Sequence, residues 1–197
     1  METPNIASLI LTSSGITEAD APATSVMYST ATTLNMAVKG TMVYCTLQYL
    51  ELSGFTYLNS TLPTYSQNAK FYIQAATNVS IDTSQFRGCG ISQYGGVFWL
   101  AQGTPFYDAN SVYEFNAGAY GGVINCQSCR VELWYTTFDL NMAWRGGVIE
   151  LRETSFLKGY QVTFTRNQAF YSAGAIYLSS LSYMQLSSST FTLNTAP

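Results

Sequence analysis

The chain has 197 residues, a formal net charge of −3 and only 10% charged residues. Its eight Lys and Arg form no cluster, which argues against nucleic acid and anionic membranes as partners. The absence of histidine argues against a zinc site, and no apolar run reaches the roughly 20 residues of a membrane-spanning helix, so we expect no metal, no other cofactor and no direct membrane span.

Two short motifs recur along the chain at a nearly constant interval, and such a period indicates a repeat architecture. The first motif, F-x-x-N, has its aromatic residue at Phe86, Tyr113, Phe138, Phe164 and Phe191. The second motif, G-G-V-I, occurs with small changes at 95–98, 121–124, 146–149 and 173–176. The aromatic positions are 27, 25, 26 and 27 residues apart, which is shorter than most helical repeats and indicates one coil of β-strands per repeat.

Residues 1–85 show this pattern only in part. Because a strand turns every second side chain inward, apolar residues spaced by two predict a core-facing strand. Sets that fit are Leu9, Leu11 and Ile16 in one coil and Leu50, Leu52 and Phe55 in the next. They extend the register to about seven coils of roughly 26 residues. The longer intervals place insertions in 17–33 and 59–64, so we expect irregular, loop-bearing coils in this part of a single 1–197 domain.

Residues 86–197 contain the regular repeats. Apolar side chains recur seven, five and three positions before the aromatic residue, as Val131, Leu133 and Tyr135 do before Phe138. The equivalent residues in two other coils fit less well, namely Phe106, Asp108 and Asn110, and Leu157, Gly159 and Gln161. After the glycines, the positions predicted to face outward on successive coils are Trp99, Asn125, Glu150 and Tyr177.

Four cysteines, Cys45, Cys89, Cys126 and Cys129, raise the question of disulfides. The predicted coils separate the other pairs beyond disulfide reach, so only Cys126 and Cys129 could join. Cys126 also occupies a core-facing position, where a buried thiol is the simpler interpretation. Both states of this pair stay open.

Two sequons for N-glycosylation are present, Asn59-Ser60-Thr61 and Asn78-Val79-Ser80. Such triplets arise readily by chance in a chain rich in Asn, Ser and Thr. Whether Asn59 and Asn78 carry glycans therefore depends on export of the protein.

A residue type that returns at one position of every coil forms a ladder through a solenoid. The aromatic residues of the first motif, Phe86, Tyr113, Phe138, Phe164 and Phe191, are predicted to stack in the core. The asparagines, Asn116, Asn141, Asn167 and Asn194, are predicted to form a ladder of hydrogen-bonded amides at a turn.

Two groups of residues are candidates for contact with carbohydrate. Glu114 and Asp139 follow their aromatic residues by one position and should lie about 5 Å apart, as a catalytic acidic pair would require. We interpret them as a solvated ladder balanced by Arg87, because no histidine is present to assist as an acid or base. The other group is a predicted column of aromatic residues before the glycines, Tyr94, Tyr120, Trp144 and Tyr171, which could stack on sugar rings or on one another.

The combination of F-x-x-N with G-G-[A/V]-I at this period resembles the repeats of the polymorphic outer membrane protein family of chlamydiae and similar repeats in large ciliate surface proteins. The resemblance covers residues 80–197 well, with Cys89 and Ala173 departing from the motifs. It implies a right-handed parallel β-helix of the pectin-lyase-like class on a cell surface, serving adhesion or structure.

The sequence thus favours a non-enzymatic, extracellular or surface β-helix. Its expected partners are copies of itself, joined end to end into a filament, or neighbouring coils of a longer adhesin, because an open solenoid end exposes strand edges and core side chains. Surface glycans and cell receptors are further candidate partners. The alternative is a carbohydrate-binding or polysaccharide-cleaving β-helix.

Overall fold

The computed structural model describes residues 5–12, 15–17, 34–35, 43–53, 56–58, 69, 71–74, 78–89 and 92–197. These residues form an all-β solenoid in which neighbouring strands run parallel. Residues 92–197 are described without interruption and make about four coils of roughly 26 residues.

The strands of the solenoid are short and are joined by tight turns. In chain order they are β1 (Asn5–Thr12), β2 (Gly15–Thr17), β3 (Leu34–Asn35), β4 (Val43–Ser53), β5 (Thr56–Leu58), β6 (Phe71–Gln74), β7 (Asn78–Asp82), β8 (Gln85–Arg87), β9 (Ser92–Tyr94), β10 (Phe98–Ala101), β11 (Pro105–Ala109), β12 (Val112–Glu114), β13 (Ala117–Tyr120), β14 (Ile124–Gln127), β15 (Arg130–Trp134), β16 (Thr137–Asp139), β17 (Met142–Arg145), β18 (Ile149–Arg152), β19 (Phe156–Tyr160), β20 (Thr163–Thr165), β21 (Gln168–Ser172), β22 (Ile176–Leu178), β23 (Tyr183–Ser187) and β24 (Thr190–Thr192).

Equivalent strands of successive coils stack into four faces. Face 1 contains β1, β4, β7, β11, β15, β19 and β23. Face 2 contains β3, β2, β5, β8, β12, β16, β20 and β24, with β3 outside β2. Face 3 contains β9, β13, β17 and β21. Face 4 contains the first part of β4, then β6, β10, β14, β18 and β22, so the long strand β4 joins faces 1 and 4 into one 12-stranded sheet.

The register of face 2 corrects the sequence alignment in one early coil. Tyr57, not Phe55, is paired with Phe86, and Ile16 is paired with Tyr57. Leu50 is consequently paired with Val79, seven residues before the aromatic position rather than five. The error was hidden because a shift of two residues along a strand keeps every side chain on the same side of the sheet.

The position three residues before each aromatic residue lies in a turn and does not face the core, contrary to the prediction. Thr83, Tyr135 and Ser188 are exposed and have φ of 48°, 55° and 51°. The core-facing residue is the next one along the chain. Ser111 holds this position in its coil, where its buried Oγ accepts a hydrogen bond of 3.1 Å from the backbone N–H of Ser84 in the preceding coil.

The core is filled by inward side chains from faces 1, 2 and 4. The corner between faces 3 and 4 is made by the paired glycines, where the coils approach closely. A Cβ on Gly122 would lie 2.2 Å from the carbonyl oxygen of Gly147 in the next coil. Only glycine therefore fits this position without moving the backbone.

Candidate functional site

The asparagines of the F-x-x-N motif form a continuous buried hydrogen-bond ladder. Asn141 is typical, because its Nδ2 donates to the Tyr113 carbonyl at 2.9 Å and to Asn167 Oδ1 at 3.0 Å. Its own Oδ1 accepts from the backbone N–H and from Nδ2 of Asn116, both at 3.0 Å. The ladder continues to Asn194, whose Oδ1 accepts from Asn167. In the coil that lacks asparagine, the backbone N–H of Cys89 donates to Asn116 Oδ1.

The residue before each ladder asparagine adopts a left-handed backbone conformation. Phe115, Leu140, Arg166 and Leu193 have φ between 53° and 56°. Such a conformation costs an ordinary residue about 1 to 2 kcal/mol. The hydrogen bonds of the asparagine amide that follows recur in each of these four coils and offset this cost.

The aromatic residues stack face to face inside the solenoid. Successive ring centroids, from Phe86 through Tyr113, Phe138 and Phe164 to Phe191, are 5.0, 5.0, 5.2 and 4.7 Å apart, with interplanar angles of 13° or less. The first four are fully buried, whereas Phe191 is 49% exposed. The aromatic stack is thus partly exposed to solvent in the last coil.

The register places Glu114 opposite Asp139 on adjacent coils, with Arg87 opposite Glu114 on the other side. Arg166 makes a bidentate ion pair with Asp139, with 2.9 Å between its Nε and Asp139 Oδ1. This hydrogen-bonded contact raises the pKa of Arg166. Arg87 lies 4.9 Å from the centre of the Phe115 ring. Of the two acidic residues, Asp139 is therefore held in an ion pair with Arg166 on the outer side of face 2.

The aromatic residues before the glycines do not form the single column that was predicted. Tyr120 is paired with Tyr94 and with Arg145, and Arg145 is paired with Ser172. The rings of Tyr94 and Tyr120 are 5.7 Å apart. Trp144 and Tyr171 form a separate exposed stack with 5.9 Å between centroids and 5° between planes. The prediction failed because Trp144 and Tyr171 stand one residue further from the glycines, so they occupy a different column.

The outer side of face 4 contains a buried polar cluster that the sequence pattern did not indicate. Asn125 and Glu150 were predicted to face solvent, but both are fully buried. Glu150 Oε1 lies 3.0 Å from Arg145 and 3.4 Å from Arg152, and Arg152 also donates to Asn125 Oδ1. Burial raises the pKa of Glu150, and the two arginines oppose that rise.

Aromatic rings provide the cover for this cluster. Arg145 packs over Tyr120 and Tyr177 at 4.7 and 5.0 Å from the ring centres. Arg152 packs over Tyr94 and Tyr120 at 5.7 and 5.2 Å. The two arginines, packed against tyrosines, thus shield the Glu150 carboxylate from solvent. We interpret this group of desolvated charges as structural.

A second buried carboxyl group, Asp108, lies in the core column of face 1 between Ile81 and Leu133. Thr136 Oγ1 donates to its Oδ2 at 3.2 Å, while Oδ1 has no well-formed hydrogen bond within the described part of the chain. Burial raises the pKa of Asp108 to about 7, although neighbouring hydroxyl groups act against the rise. Asp108 was an exception to the apolar alternation of the sequence, and that pattern did not predict that its side chain would be buried in the core.

Cys126 and Cys129 form a disulfide with 5.7 Å between their Cα atoms, so the thiol interpretation of Cys126 is wrong, although its core-facing position is confirmed. The side chain of Cys89 is buried. Asn78 lies half-buried on the outer side of β7. Asn59 lies outside the described residues.

Face 1 has a depression of about 420 Å³ on its outer side. It is lined by Asn78, Ser80, Pro105, Tyr107, Arg130 and Glu132. The register arranges these residues in two columns that cross three successive coils, because Ser80, Tyr107 and Glu132 are paired in turn and Pro105 is paired with Arg130.

No protein-family model, curated protein or solved structure matches the chain. The residues that the structure describes include no helical segment with the length and hydropathy needed to traverse a bilayer. Within the same residues, no three Cys, Asp or Glu side chains converge where a metal ion could bind.

Proposed function

We propose that the chain is a non-enzymatic structural module of an extracellular or cell-surface β-helix, and that its C-terminal coil is covered end to end by a further coil, supplied by another copy of the chain or by a longer β-helix of which it is a segment. The observation that carries this proposal is the loss of burial at core positions in that coil. Phe191 is 49% and Met184 is 45% exposed, whereas Phe164 and Leu157, one coil earlier, are fully buried. A further coil on this end would bury both side chains.

A second copy of the chain fits this end in strand direction, as further coils of a longer chain would. At the C-terminal end, faces 1 and 2 finish with β23 and β24, and among the described residues the outermost strands at the opposite end are β1 and β3. Since all pairing in the solenoid is parallel, the C-terminal edge of one copy and the N-terminal edge of another run in the same direction. Such a contact joins two different surfaces, so it repeats without closing and generates a filament.

The Cys126–Cys129 disulfide supports an extracellular location, because disulfides persist in oxidising compartments. The resemblance of the repeats to those of chlamydial polymorphic outer membrane proteins supports a right-handed coil and a role in surface structure or adhesion.

The experiment is sedimentation velocity over a range of concentrations, with negative-stain microscopy of the same samples. The wild-type chain should form particles that lengthen with concentration. Phe191→Asp and Met184→Asp should stay monomeric, while Tyr171→Asp, which alters an exposed side chain on face 3, should assemble as the wild type does. A wild-type chain that remains monomeric at all concentrations refutes end-to-end association.

Carbohydrate binding is the second candidate function, favoured by the exposed stack of Trp144 on Tyr171. The ion pair between Asp139 and Arg166 supports binding rather than cleavage. Glycan-array binding that disappears in Trp144→Ala would establish this function, and an array without any signal for the wild type would reject it.

A further inference from the structure

We infer that Asn78 is an N-glycosylation site whose first sugars lie in the depression on face 1, against Tyr107. This inference rests on the extracellular location proposed above. Three independent features meet here, namely a sequon, an outward-facing attachment point and a shaped surface beside it.

The sequon is presented on the outer side of the solenoid. Within β7, Val79 is fully buried while Asn78 and Ser80 flank it on the opposite side of the strand and remain partly exposed. Alternation along the strand therefore turns both the amide and the hydroxyl group of the sequon outward. A glycan on Asn78 leaves the core packing unchanged.

The surface beside Asn78 has the size and direction to hold the sugars attached to it. The depression begins at Asn78 and extends along the solenoid axis over the next two coils, about 10 Å at the usual strand spacing. Its volume of about 420 Å³ falls in the range of about 300 to 1,000 Å³ that is typical of small-molecule sites.

The lining matches the chemistry of an N-acetylhexosamine. Tyr107 is 39% exposed, and an aromatic ring has a negative face that suits the C–H groups on one side of a pyranose. Arg130 and Glu132 are joined by an ion pair of 2.6 Å, and Arg130 also packs against Phe156 at 5.6 Å. They present a donor and an acceptor in fixed positions, as the hydroxyl and acetamido groups of the sugar require.

The attachment is a group transfer from a polyprenyl-diphosphate-linked oligosaccharide. A bond forms between Asn78 Nδ2 and the anomeric carbon of the N-acetylglucosamine. The bond from that carbon to the diphosphate oxygen breaks, the diphosphate leaves with the electron pair, and the amide nitrogen loses one proton to the transferase. No oxidant or reductant is needed.

The glycan would not block the proposed assembly. Asn78 lies on β7, which is two strands from β1 and four strands from β23 along face 1, or about 10 Å and 19 Å at the usual spacing. The glycan would project sideways from the outer side of face 1 rather than from either edge.

The experiment is secretion of the full chain, behind a cleavable signal, from a eukaryotic cell that N-glycosylates, followed by mass spectrometry of its glycopeptides. Asn78 should carry a glycan in the folded, secreted protein. Asn78→Gln and Ser80→Ala should each lose it, the second without altering the attachment residue. An unmodified Asn78 in the folded wild type overturns the inference.

The position of the sugars is tested by the rate at which an endoglycosidase cleaves the glycan core under native conditions. Contact with Tyr107 should slow cleavage, so Tyr107→Ala should keep full occupancy and be cleaved severalfold faster, whereas Tyr171→Ala should match the wild type. Equal cleavage rates for Tyr107→Ala and the wild type overturn the proposed contact between the sugars and Tyr107.

The two proposals fail separately. A glycosylated chain that never assembles refutes end-to-end association alone. A chain that assembles with Asn78 unmodified refutes the glycan site alone.

Discussion

Replacement of Asp108 by asparagine should change how the stability of the solenoid depends on pH. The carboxyl group lies fully buried in the core column of face 1, with Thr136 donating to one of its oxygens. Burial raises the pKa of this group from 3.8 to about 7. Asparagine has nearly the same shape and can accept the same hydrogen bond, but it cannot ionise.

The sign of the effect follows from the raised pKa. Below about pH 4 the carboxyl group is protonated in both the folded and the unfolded chain and has no ionic cost. Between about pH 4 and pH 7 only the unfolded chain loses the proton, so the folded state loses stability as the pH rises. With about 1.4 kcal/mol for each unit of pKa, the loss is about 4 kcal/mol by pH 8. Asp108→Asn should therefore be more stable than the wild type at pH 8 and close to it at pH 4.

The assay is urea unfolding of both proteins, followed by circular dichroism at pH 4, 5.5, 7 and 8. Subtracting the two profiles removes the contribution of the other carboxylates, and Glu153→Gln controls for the loss of one exposed carboxylate. A difference in the free energy of unfolding that stays constant across this range would refute the account of Asp108 as a neutral core residue.

Three other substitutions test the ladders and corners, each measured by the free energy of unfolding. Asn141→Ala should cost roughly 3 to 5 kcal/mol, because the hydrogen bonds that it makes to two adjoining coils are lost and buried polar groups remain without partners; a cost below about 1 kcal/mol would contradict the ladder. Gly147→Ala should lower the stability by several kcal/mol, because the added Cβ would lie 2.1 Å from the Gly174 carbonyl oxygen. Gly103→Ala is its control, since the added Cβ would meet open space. It should lower the stability by only about 1 kcal/mol, because alanine disfavours the left-handed backbone conformation at this position. Arg145→Ala should cost roughly 3 to 5 kcal/mol, because the buried carboxylate of Glu150 would keep only one arginine partner. Equal stability of the variant and the wild type would show that the buried cluster is not a coupled unit.

Periodicity alone predicted the parallel solenoid and its period of about 26 residues. It could do so because a residue type repeated at one position, such as the phenylalanine of F-x-x-N, has a direct structural meaning when coils stack. Early coils were harder, since Phe55 and Tyr57 are both aromatic and two residues apart, so the two-residue alternation fits either of them as the aromatic position.

Other features depend on neighbours that a single repeat does not reveal. Glu150 alternates with core residues, which predicts exposure, but two arginines of its own coil and tyrosines from adjacent coils cover it. The alternation predicts that Tyr135 and Ser188 continue a strand, but they adopt left-handed turn conformations that apolar patterning does not detect. Both cases involve local backbone geometry or packing between coils rather than the two-residue period.

Electron cryomicroscopy of the assembled wild-type chain tests the central claim most directly. End-to-end association predicts filaments in which successive copies are related by translation and rotation along the solenoid axis, with the strand spacing of about 4.8 Å continuing across each junction. The C-terminal coil of one copy, with Phe191, should be buried against the first strands of the next. Monomers, or closed dimers related by a two-fold axis, would contradict the claim.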